Sequence, residues 1–247
     1  LRSACAFAPV LLYALWARKR LSVRDGTLLP GLANGVLFSG EFCLLFLALD
    51  LTSVSRVSLF FYTMPLWVAV GAHFLVPGER LTGNKVAGLA VAFAGIATAL
   101  LGGSESGSWQ GDVLALGGAL CWAGIALLAR TTKLAETSPE MNLLYQLGVS
   151  AVLVIPLAVL LGDTIREPTT LIYGIFAFQV IVIVAIGFVV WFWILSVYPV
   201  ANMASFSLLT PVFGIFFGWL IFADQLTGSF LLGLLLVGAG LVLVNRN

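Results

Sequence analysis

The sequence predicts an all-α polytopic membrane protein. Three observations carry that expectation: a mean hydropathy of +1.09, a succession of apolar stretches long enough to cross a bilayer, and basic residues gathered in alternate loops between them. A soluble domain carries about 25% charged residues; a chain with 9% charged and 61% hydrophobic residues cannot cover a water-facing surface. That excludes a cytosolic enzyme, a secreted domain and a disordered chain.

Nine apolar stretches run over 2–17, 28–50, 55–76, 84–102, 111–130, 142–161, 172–197, 201–222 and 228–245. Each comes near the roughly 20 residues that a helix needs to cross a hydrocarbon core of about 30 Å. None alternates with the period of two that a membrane β-barrel requires, so the spans are helices. The first ends at Arg18, Lys19 and Arg20; the third contains Pro65 and closes at His73 before Pro77; the fourth and the ninth open just after Thr82 and Thr227, plausible N-caps. Glu79 and Asp224, just upstream of those threonines, favour the positive end of the same helix dipole.

Loop charge sets the orientation. Arg18, Lys19, Arg20, Arg24, Arg80, Lys85, Arg130, Lys133 and Arg246 place nine cations on one side, against Arg2, Arg56 and Arg166 on the other. The C-terminus is therefore expected inside and Leu1 outside. A chain that starts outside without a basic n-region or an A-x-A site is expected to follow one earlier span, giving ten helices in the parent protein, nine of them here.

The chain repeats itself. Pro65 matches Pro211 at an offset of 146, and Glu79, Leu81, Thr82, Gly88 and Gly95 match Asp224, Leu226, Thr227, Gly233 and Gly240 at 145. Pro9 and Pro156 form a further pair at 147. The Gly/Ser-rich stretch GGSESGSWQG divides a first repeat, 1–102, from a second, 111–247, with a linker over 103–110. Five spans per copy is an odd number, so the second copy enters the membrane inverted. Each proline is expected to free a carbonyl near Phe61 and near Ser207, kinking its helix. Pro65 and Pro211 are the expected hinges. Ala115, Ala119 and Ala123, with the paired glycines, are expected to let helices approach closely.

The proline, acidic-x-Leu-Thr and spaced-glycine pattern, present twice, resembles the EamA family of the drug/metabolite transporter superfamily. That resemblance implies ten helices in two inverted five-helix repeats, both termini cytoplasmic, and export of amino acids or other small metabolites; a bacterial inner membrane follows from the same likeness.

Polar residues at membrane depth are the candidate site. Glu41 is ionisable within a span, and Asn34 lies two turns before it on the same face. Burial and a substrate ammonium or a cycling proton would explain such a carboxylate; no acid stands at the matching place in the second copy, where Gly187 aligns. Tyr62, Trp122, Gln179, Trp191, Asn202 and Ser205 complete a polar and aromatic lining, with Asn202, Ser205, Phe206 and Leu209 expected on one helix face. His73 is the lone histidine and reads as packed or interfacial; Arg56 reads as snorkelling. Trp16, Trp67, Trp109 and Trp219 suit interfacial or lipid-facing places. Cys5, Cys43 and Cys121 form no CxxC pair and read as small buried residues.

The function expected is a secondary transporter, an exporter of a small neutral or zwitterionic organic metabolite such as an amino acid, working by alternating access with protons as a candidate coupling ion. The lipid bilayer and the solute are its partners. A net charge of +1 is too small for nucleic acid, no catalytic constellation or P-loop is present, and no metal or cofactor is expected. Membrane-embedded enzyme and passive pore or structural subunit are the alternatives; each lacks its signature, a catalytic cluster for the one and a continuous polar ring for the other.

Overall fold

The computed structural model describes residues 1–23, 25–100, 108–160, 169–222 and 228–245. Arg24, Arg166, Arg246, residues 224–227 and most of the expected linker lie outside the described residues, as do the side chains of Pro211 and Trp219. Helix occupies all nine apolar stretches: α1 Arg2–Trp16, α2 Leu28–Leu51, α3 Val54–Phe61, α4 Met64–Leu75, α5 Gly83–Leu100, α6 Trp109–Thr131, α7 Pro139–Leu160, α8 Thr170–Phe178, α9 Val189–Val197, α10 Val200–Phe206, α11 Leu209–Phe222 and α12 Gly228–Asn245. A π-helical segment, Gln179–Phe188, joins α8 to α9. Among the described residues five helices, α3 and α4 taken together among them, are long and apolar enough to cross a membrane, and shorter apolar helices accompany them. No strand occurs among the described residues.

Side-chain caps start several helices where the sequence supplies hydroxyls. Ser53 accepts the Arg56 N–H at 3.3 Å, Ser138 that of Met141 at 3.3 Å, and Thr82 that of Lys85 at 3.4 Å. The expected Thr82 cap is thus in place.

The described residues fall into two compact units, each built from both halves of the chain. Unit 1 takes residues 1–40 and 124–198. In it α1 runs antiparallel to α7: Ser3 and Ser150 hydroxyls lie 3.0 Å apart, and Lys19 pairs with Glu140 at 3.1 Å. The first half of α2 runs parallel to α7 at close range. A Cβ on Gly31 would meet the Tyr145 ring at 2.5 Å, and one on Gly35 would meet Val149 at 2.5 Å. Arg130 donates to the carbonyls of Leu195 and Ser196 at 3.3 and 3.1 Å, where the last turn of α9 has carbonyls without helical partners.

Unit 2 takes residues 41–123 and 199–247. Its tightest contact is α5 against α12, antiparallel, where backbones touch: a Cβ on Gly88 would lie 2.6 Å from the Gly240 oxygen, and one on Gly95 would lie 2.7 Å from that of Gly233. Ala48, Val57 and Ala115 form a small core. Ala115, Ala119 and Ala123 are buried. Arg56 does not snorkel alone: its Nε donates to Asp112 at 3.2 Å and its Nη2 makes a second bond to the same carboxylate. The reason lies in the fold, which brings α6 to the start of α3. Cys5 is exposed rather than buried, while Cys43 and Cys121 are half-buried.

Candidate functional site

The two proline-bearing helices of unit 2 are broken rather than bent. The first stops at Phe61 and restarts at Met64; the second stops at Phe206 and restarts at Leu209. Pro65 and Pro211 therefore stand second and third in the restarted helices, where a missing N–H costs little, and neither sits mid-helix. At each break a hydroxyl closes the turn by donating to the carbonyl three residues back: Thr63 to Phe60 at 2.6 Å, Ser207 to Ala204 at 2.7 Å. The Ser207 carbonyl is not freed, because the Thr210 N–H bonds to it at 3.0 Å. The break also ends the expected common face: Phe206 closes α10, and Leu209 belongs to the next helix.

Around the first break lies an aromatic cluster. Phe61 stacks on Trp122 with ring centroids 5.2 Å apart, and Tyr62 meets Phe61 edge-on. Gly118 makes room for it, since a Cβ there would sit 3.2 Å from the Phe61 ring and 3.6 Å from the Glu41 carbonyl oxygen. Glu41 itself is buried. Tyr62 is half-buried at the break. Unit 2 thus gathers Glu41, Tyr62, Trp122, Asn202, Ser205, Pro65 and Pro211 from the predicted set. Ser205 is buried and spends its proton on the Asn202 carbonyl at 2.6 Å; the Asn202 Oδ1 is buried without a partner among the described residues.

Unit 1 holds the other three. Asn34 is buried, Gln179 is exposed at the start of the π-helical segment, and Trp191 is half-buried on α9. Unit 1 also contains an apolar pocket of about 380 Å³ lined by Pro9, Val10, Tyr13, Ala185, Ile186 and Val190, among others. None of the predicted site residues lines it; the only sequence signal nearby is the mid-span proline, Pro9.

One residue assigned to the scaffold acts otherwise than expected. Glu79 serves not its own following helix but α10: its carboxylate oxygens accept the N–H groups of Val200 at 2.9 Å and Ala201 at 3.1 Å. A turn with Pro77 and Gly78 at its centre presents it, closed by the Glu79 N–H on the Val76 carbonyl at 3.2 Å with Gly78 at φ +87°. His73 is exposed near the end of α4 rather than packed; its Nδ1 accepts the Leu81 N–H at 3.3 Å and its ring meets Phe74 edge-on. Among the described residues no group of three or more His, Cys, Asp or Glu side chains is placed to hold a metal.

Paired broken helices, close glycine crossings and polar groups buried among apolar spans define a polytopic membrane protein of the transporter class. The chain belongs to the EamA-like transporter family, which matches residues 1–101 and 109–246. It is 26% identical over 239 residues to the uncharacterized transporter YoaV of Bacillus subtilis (strain 168), covering 94% of this chain and 81% of that protein. It is 29% identical over 170 residues to the uncharacterized transporter YvbV of the same organism, covering 68% of this chain and 55% of that one. A solved crystal structure shares the fold with a TM-score of 0.85 at 22% identity, over 99% of this chain and 84% of that chain.

Proposed function

We propose that this membrane transporter is a secondary carrier that exports a small neutral or zwitterionic organic solute, such as an amino acid, by alternating access between two inverted repeats. The single observation that carries the reading is the pair of matched breaks at residues 62–63 and 207–208, each followed by its proline. Discontinuous helices of this kind supply carriers with joints near the bilayer midplane. Pro65 and Pro211 flank those joints and act as the hinges.

The glycine contacts support the inverted relationship. Gly88 corresponds in sequence to Gly233 and Gly95 to Gly240, yet the contacts run Gly88 to Gly240 and Gly95 to Gly233. Such reciprocity is what a two-fold operator produces. Two separate matches to the family fit the same division of the chain.

In this reading Glu41 binds a substrate ammonium or a proton beside the Phe61, Tyr62 and Trp122 rings, whose faces favour cations. Asn202 and Ser205, in the same unit, supply neutral contacts. An anionic cargo is disfavoured, since such substrates want buried Lys or Arg, and the spans offer none at depth. The protein resides in a bacterial inner membrane with its C-terminus cytoplasmic.

The test is uptake into proteoliposomes with imposed pH and solute gradients, screened over amino acids. A gradient-driven flux is expected, with its pH dependence abolished in Glu41→Gln; unchanged uptake and unchanged pH dependence in that variant would remove Glu41 from the coupling role. Cysteines placed at Arg20 and Arg130 are expected to react with an impermeant reagent from one and the same side, and reaction from opposite sides would end the inverted-repeat reading.

A further inference from the structure

Within unit 1, two amide side chains are fully buried and carry no hydrogen bond among the described residues. Asn34 and Gln146 are both 0% exposed, and both polar atoms of each amide lack a partner. The buried hydroxyls of this unit are satisfied: Thr27 pairs with the Tyr145 hydroxyl at 2.9 Å, Ser150 with Ser3, and Ser39 with the Gly35 carbonyl at 2.8 Å, while Glu140 and Asn142 each keep only one oxygen without a partner among the described residues. Native interiors rarely leave a whole amide uncompensated.

Helix register places the two amides together. The α2 and α7 seam runs through Gly31 on Tyr145 and Gly35 on Val149, so the helices advance in the same direction. At 100° per residue, Asn34 stands roughly 80° to one side of its seam and Gln146 roughly 80° to the opposite hand of its own. For two parallel helices facing each other, opposite hands fall on the same flank. Phe38, one turn beyond Asn34, meets Phe188 edge-on and closes that flank. One turn back from Gln146, Asn142 also has an unpartnered Oδ1 and lines a cavity of about 10 Å³ with Thr137 and Ser196, the room that about one water needs.

We propose that Asn34, Gln146 and Asn142 form a buried binding track in unit 1 for neutral groups that both donate and accept hydrogen bonds. An amide pair with two donors and an acceptor on each member selects against ions and for a hydroxyl, a carboxamide or water. The occupant is either ordered water or the uncharged polar end of a solute. Only the solute arm rests on the carrier reading.

The test uses the whole chain purified in detergent, with acetamide as probe. If a solute group occupies the track, acetamide at about 100 mM raises the wild-type melting temperature by a degree or two, and the rise disappears in Asn34→Leu and Gln146→Leu. If water occupies it, acetamide does nothing, but X-ray footprinting in ¹⁸O water labels the buried rings of Phe38 and Tyr145, and the label fades in the leucine variants. Both wild-type readouts stand even where a leucine variant does not fold. Neither a shift nor a label, together with strong coupling of Asn34→Leu and Gln146→Leu in a double-mutant cycle, would show that the amides satisfy each other and would overturn the proposal. Failure of solute flux in vesicles bears on the carrier reading alone, since neither readout measures transport.

Discussion

The Glu79 carboxylate accepts the Val200 backbone N–H at 2.9 Å across 121 positions of sequence. The second oxygen takes the Ala201 N–H, so a single buried side chain caps the first turn of a helix from the other half of the chain. That helix begins after Pro199, which offers no cap of its own. Glu79→Ala is expected to lower stability by about 1–2 kcal/mol, and Glu79→Gln, which keeps an acceptor oxygen, by less. Thermal melts of the purified variants check the order, which reverses if the carboxylate is not a cap.

Gly78 presents Glu79 from a left-handed backbone position, φ +87°, with open space where a Cβ would go. The demand there is conformational rather than steric. Gly78→Ala is therefore expected to cost about 1–2 kcal/mol and Gly78→Asn, which tolerates that region, measurably less. Equal losses in melting temperature would refute the turn argument.

The Gly88 and Gly240 crossing makes the opposite demand, for space. Gly88→Val drives two methyl groups into the Gly240 and Val244 backbone, and a loss of about 1–3 kcal/mol or more is expected. Gly83→Ala, at a glycine with nothing within 4 Å, serves as the control and is expected to be within about 0.5 kcal/mol of the wild type.

Arg56 and Asp112 form a forked pair whose side chains are 30% and 10% exposed. At that exposure a double-mutant cycle with Arg56→Met and Asp112→Asn is expected to give a coupling of about 1 kcal/mol or less, shrinking as salt is raised. A coupling indifferent to salt would point to a packing role for Arg56.

Asp25, in the loop before α2, is held below the usual carboxyl range by the Thr27 hydroxyl at 2.5 Å and, secondarily, by the Thr27 N–H at 3.1 Å. Because the folded value is the lower one, the stabilisation is complete above the unfolded value of about 3.9 and fades as pH falls through the folded value. Asp25→Asn is expected to flatten the acid limb of melting temperature against pH while leaving the neutral region parallel.

Much of the architecture was readable from local pattern. The nine apolar stretches became helices because hydrophobic length is a property of consecutive residues, and Thr82 capped α5 because a cap reaches only three positions. The tryptophans Trp16, Trp67 and Trp109 stayed exposed at 81%, 38% and 70%. The candidate site was legible in part: Glu41, Tyr62 and Trp122 were picked for polarity or aromaticity at depth, and the fold brings them into one unit. Gln146 was missed, because one glutamine in an apolar span is a weak signal until its burial and its empty hydrogen-bonding capacity are known.

What this sequence determined by itself is the set of helices, which depends on residues a few positions apart. Tertiary structure alone decided partners. It gave Glu79 to α10 rather than α5, paired Arg56 with Asp112, and turned two expected kinks into breaks sealed by Thr63 and Ser207. The physical reason is that a carboxylate's charge and a hydroxyl's proton are satisfied by whichever group the fold brings within about 3 Å, and periodicity along the chain carries no information about which group that will be.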